Sequence, residues 1–108
     1  MELLDKILVP NWTTKNMLER KVIQKAAQEI NANIKNIEKG PDFATFNLST
    51  SKTVMFLGAD YIVKLKDSKK GVVVELQGEP KIDLEDPKRL TETGYKLLEK
   101  IQKLCTQK

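Results

Sequence analysis

Residues 61–77, YIVKLKDSKKGVVVELQ, hold two alternating apolar runs separated by a short turn, and no other stretch constrains the fold as much. Tyr61, Val63 and Leu65 fall on one side of an extended chain, and Val72, Val74 and Leu76 do the same on the return. Residues directly opposed in an antiparallel pair lie on the same side of the sheet. Pairing Leu65 with Val74 and Val63 with Leu76 meets that condition and leaves SKKG as the loop, a common hairpin length. The opposite side then pairs Ile62 with Gln77, Lys64 with Glu75, and Lys66 with Val73.

The flanking segments supply the remaining elements. Leu3, Leu4, Ile7 and Leu8 have helical spacing, so a short helix is expected over 2–8, ended ahead of Pro10. Thr13 or Thr14 can cap a second helix. In it Leu18, Val22, Ala26 and Ile30 recur every four residues, with Ile23 and Ala27 beside them, to an end near Asn31. A short strand is expected over 34–37, a turn at Gly40-Pro41, and strands over 43–48 (FATFNL) and 53–57 (TVMFL), with a tight turn at Gly58-Ala59-Asp60. Asp86-Pro87 reads as a helix start. The stripe Leu90, Gly94, Leu97, Ile101 and Leu104, widened by Leu98 and Cys105, carries that helix to about Leu104. The 108 residues make one domain. Its strand connections are too short for crossovers, so the class is α+β: an antiparallel sheet of three to five strands flanked by an N-terminal and a C-terminal helix.

The chain lacks the residues that much chemistry needs. It has no histidine, the commonest general base and metal ligand, and one cysteine, which closes neither a zinc site nor a disulfide within one chain. Neither a Walker loop nor a dinucleotide fingerprint occurs among the five glycines. Cys105 reads as a packed thiol beside an apolar stripe, and Tyr95 as a packed ring with its hydroxyl in water. The acids Glu75, Glu79, Asp83, Glu85 and Asp86 have no EF-hand spacing and read as a solvated loop and a helix cap. No catalytic residue, metal or cofactor is expected. No apolar run approaches the roughly 20 residues of a membrane helix. The first ten residues carry Glu2 and Asp5 and do not read as a secretory signal. With a single cysteine, this points to the cytoplasm, and the NWT and NLS sequons are taken as chance matches.

Two binding readings remain. Net charge is +4, with 8 basic and 7 acidic residues in 1–60 and 11 and 8 in 61–108. Lys64, Lys66, Lys69 and Lys70 on the hairpin, joined by Lys88 and Arg89, fit phosphate contact, which positions a nucleic acid without reading its bases. Against this, Lys64 faces Glu75 in the register above, and no aromatic lies on the hairpin's outer side to stack on a base. The second reading is a protein-binding adaptor or inhibitor that uses an apolar sheet face or a strand edge. Residues 54–57 are apolar on both sides. Paired with 61–65, they would set Met55 or Phe56 beside Ile62 on the outer face, covered by the Trp12 segment, a partner protein or a second copy. The chain is thus expected to be a small non-catalytic binding module, for nucleic acid through the hairpin or, alternatively, for a protein.

Overall fold

The computed structural model describes residues 2–51, 58–81 and 87–106. In chain order the elements are β1 (Glu2–Pro10), α1 (Thr14–Glu19), α2 (Val22–Glu29), β2 (Ala32–Lys39), β3 (Phe43–Thr50), β4 (Ala59–Asp67), β5 (Gly71–Pro80) and α3 (Pro87–Thr106). The strands form one antiparallel sheet in the order β1-β5-β4-β3-β2. The helices form a second layer: α3 lies across β5 and β1, α2 over β2 and beside α3, and α1 against β4.

The hairpin has the expected register at every pair. Leu65 opposes Val74, Val63 opposes Leu76, Ile62 opposes Gln77, Lys64 opposes Glu75, and Lys66 opposes Val73. Its inward residues Tyr61, Val63, Leu65, Val72, Val74 and Leu76 are buried, as are Phe46 and Leu48 on β3. From α3, Leu97 and Ile101 fill the space above them with no exposed surface. Tyr61 Oη donates to Leu90 O at 2.8 Å, which joins β4 to the start of α3 and satisfies a buried hydroxyl. Gly94 sits in the α3 stripe because the helix passes close to the sheet, and a Cβ there would lie 2.9 Å from Leu76 Cδ2. At Gly71 the φ of +154° and a β1 backbone that would lie 2.1 Å from a Cβ both require glycine.

Four expectations are corrected. Residues 2–8 are not a helix but part of the edge strand β1. A register shift between Leu3 and Asp5 inserts one residue. That bulge sends Leu4, Ile7 and Val9 inward and Leu3, Lys6 and Leu8 outward, so a bulged strand imitates helical spacing. The second helix is two, α1 and α2, broken at Lys21, whose φ is 54°. Met17 and Ile23 are both fully buried. Six positions apart on one straight helix they would point about 120° apart, and the break lets both face the sheet. Ala59 and Asp60 belong to β4 rather than to a turn, and the second neighbour of β4 is β3. The expected strand over 53–57, with Met55 and Phe56, lies outside the described residues, as does the Asp86 cap. Trp12 does not cover the outer sheet face. It packs on the helix side, where Nε1 donates to Cys105 O at 2.9 Å and the Arg20 guanidinium lies 5.6 Å from its ring centroid.

Replacing Ile101 with Ala removes three fully buried carbons from this core. It should lower unfolding free energy by about 2–5 kcal/mol in urea titration. A loss under about 0.5 kcal/mol, typical of surface positions, would reject the buried face assigned to α3.

Candidate functional site

The six basic residues singled out in the sequence do not converge. Lys64 and Lys66 project from β4 on the sheet face opposite the helices, and both are exposed. Lys66 Nζ reaches Asp42 Oδ2 at 3.0 Å, an exposed pair worth about 1 kcal/mol or less. Lys64 stands opposite Glu75 without closing an ion pair. Lys69 and Lys70 occupy the hairpin tip. There Asn11 N donates to Lys70 O at 3.1 Å, and neighbouring Trp12 holds the last turn of α3. Lys88 and Arg89 begin α3, about 25 Å from that end at 1.5 Å per helical residue. Two of the six therefore sit on the open sheet face, two at the tip, and two at the far end of the other layer.

The outer sheet face carries more than the hairpin. Register sets Lys6, Glu75, Lys64 and Thr45 in one row across β1, β5, β4 and β3. The next row is Leu8, Val73, Lys66 and Phe43. A shallow concavity of about 270 Å³ is lined by Lys6, Lys64, Lys66, Val73 and Glu75, among others. Leu3, Leu8 and Phe43 are 50%, 42% and 37% exposed, large values for such side chains. Ile62 lies on the same face, half-buried. No described helix covers it. Lys6, Leu8 and Phe43 were missed from sequence because the helical reading of 2–8 removed β1 from the sheet and the 53–57 strand took the place of β3.

The larger surprise is how charge divides between the layers. The helices with the Lys21 junction carry nine basic residues (Lys15, Arg20, Lys21, Lys25, Lys88, Arg89, Lys96, Lys100, Lys103) against four acids (Glu19, Glu29, Glu92, Glu99), a net of +5. The strands and their described connections carry eight of each sign: Lys6, Lys35, Lys39, Lys64, Lys66, Lys69, Lys70 and Lys81 against Glu2, Asp5, Glu38, Asp42, Asp60, Asp67, Glu75 and Glu79. On α3, Arg89, Lys96, Lys100 and Lys103 are spaced seven, four and three residues apart and share a stripe about 21 Å long, in which Glu92 and Glu99 also fall. Lys96, Lys100 and Lys103, with Glu29 and Glu99, line a groove of about 220 Å³. Like charges at such spacings repel by a few tenths of a kcal/mol per pair, and the exposed Glu99–Lys103 contact at 3.9 Å offsets little of it. This stripe was legible as the polar complement of the α3 apolar stripe.

No group of metal-ligating side chains forms among the described residues. No helix of the chain's described part is long and apolar enough to cross a membrane. Cys105 is buried, and desolvation pushes its thiol up from 9.0 to about 11. No family model, curated protein or solved structure matches this chain.

The folded state holds the Cys105 proton that an unfolded chain would release near pH 9. Stability should therefore fall as pH rises from about 9 to about 11. Alkylation of the native protein at pH 8 should be slow, becoming fast in denaturant. Equal rates in the two states would refute the buried, protonated thiol.

Proposed function

We propose that this chain is a non-catalytic module that holds nucleic-acid phosphates on its helix layer. The observation that supports the reading is the division of charge: an excess of +5 on the helices against a neutral sheet. A stripe of about 21 Å runs alongside about six phosphates of one strand at 3.4 Å each. Glu29 and Glu99 line the same groove and offset part of the repulsion among Lys96, Lys100 and Lys103, and a phosphate seated there would offset more of it. Lys69 and Lys70 stand at the end of the molecule where the stripe finishes, so the hairpin tip extends the same contact. Lys64 and Lys66 face the other way and take no part. Lysines at phosphates position a strand and read no bases, so the binding is indifferent to sequence.

Five contacts, from Lys69, Lys70, Lys96, Lys100 and Lys103, give a logarithmic salt slope near −4.5 on duplex DNA at about 0.9 per contact. Fluorescence anisotropy with random duplexes should show a several-hundredfold loss of affinity between about 50 and 200 mM salt. The double change Lys96→Ala and Lys100→Ala should make the slope shallower by about two units, whereas Lys64→Ala should leave it alone. Affinity no better than about 0.1 mM at low salt, below ordinary non-specific binding, would overturn the proposal.

A further inference from the structure

The basic groove on the helix layer opens into a second hollow whose chemistry is not that of a phosphate site. Given the phosphate binding proposed above, on which this rests, we infer that the second hollow takes a ribose 2′-hydroxyl and that the nucleic acid held there is RNA. The groove of Lys96, Glu99, Lys100 and Lys103 measures about 220 Å³, and Glu29 and Lys96 line both it and a neighbour of about 220 Å³. The neighbour adds Asn31, Ser51 and Thr93. Its rim therefore combines a cation, a carboxylate, an amide and two hydroxyls, a set that can both donate to an alcohol and accept from one.

Glu29 decides between ligands. It is exposed and is the last residue of α2, where the helix dipole disfavours a negative charge. Among the described residues it closes no ion pair, with Lys96 or with any other cation. The other acid of the groove, Glu99, contacts Lys103 at 3.9 Å. A phosphate is repelled by a carboxylate such as Glu29, whereas a hydroxyl donates to it, and hydrogen bonds to an ionised acceptor are the stronger kind. RNA carries a 2′-hydroxyl on the sugar beside each phosphate, and DNA lacks it. A row of lysines that ends at an unpaired carboxylate thus matches phosphates followed by a hydroxyl donor. An A-form duplex displays both along a wide, shallow minor groove, which suits a site built of largely exposed side chains on two adjacent helices.

Changing the sugar at constant charge and shape tests the inference. An RNA duplex and the same sequence with fluorine in place of every 2′-hydroxyl keep the same phosphates and the A form, and they differ in the donor. In fluorescence anisotropy at one low salt concentration, the wild-type chain should bind the RNA about tenfold tighter, as one hydrogen bond to a charged group gives. Glu29→Ala should bring that ratio close to one. Removing an acid should also tighten binding of the fluorinated duplex, so the lost preference cannot be mistaken for lost affinity. Glu29 is exposed, and circular dichroism checks that the variant is folded. A wild-type chain that binds both duplexes equally overturns this inference and leaves the phosphate reading standing. A Glu29→Ala variant that keeps the tenfold preference does the same. Binding of neither duplex overturns both.

Discussion

The inward row of β4 and β5 is the surface against which the rest of the molecule is assembled. These central strands offer Tyr61, Val63, Leu65, Val72, Val74 and Leu76 on one side only, and an apolar sheet face has to be covered. Covering it needs a helix with a long apolar stripe, and α3 provides one over twenty residues. The Tyr61 hydroxyl on Leu90 O fixes one end of that helix. The Trp12 indole on Cys105 O fixes the other. Between the two, Gly94 allows the close approach. The outer side of the same strands is mixed in character and receives no helix. A sheet with one dry and one wet face thus follows from the alternation in a single hairpin.

That asymmetry also sorts the charges. Residues of the helix layer that do not face the sheet face water, and their basic members outnumber the acidic ones. On the sheet, opposite charges alternate along the row Lys6, Glu75, Lys64, whereas Asp60 stands directly opposite Glu79, a like pair that destabilises the ladder. The two layers therefore offer different surfaces. The helical one carries the basic excess on which the proposed phosphate binding rests. The sheet one carries charges of both signs and the exposed apolar side chains Leu3, Leu8 and Phe43.

Thr13 and Asn16 form a reciprocal cap on α1, and the Thr14 amide donates to Asp67 Oδ1 at 2.6 Å. Such short bonds to a carboxylate are among the stronger hydrogen bonds. With Asn11 on the Lys70 carbonyl, they lock the link from β1 to α1 onto the β4–β5 turn. Lys69 and Lys70 are thus presented from an anchored loop, where a chain connection without these ties would leave them on a mobile tip.

The sequence by itself determined what depends on short-range periodicity. The hairpin register, the α3 stripe and the strand after Pro41 were all legible, because side chains alternate every two residues in a strand and recur every three or four in a helix. The absence of histidine and the single cysteine were equally plain. Tertiary structure decided what depends on residues far apart in the chain. Residues 2–10 became a strand because the free edge of β5 supplied hydrogen-bond partners, and the bulge at Leu4 hid the alternation. The helix broke at Lys21 because Met17 and Ile23 both had to reach one sheet. Lys64 and Lys66 parted from Lys88 and Arg89 because alternating faces of a strand and opposite ends of a helix are set by packing, which no local pattern encodes.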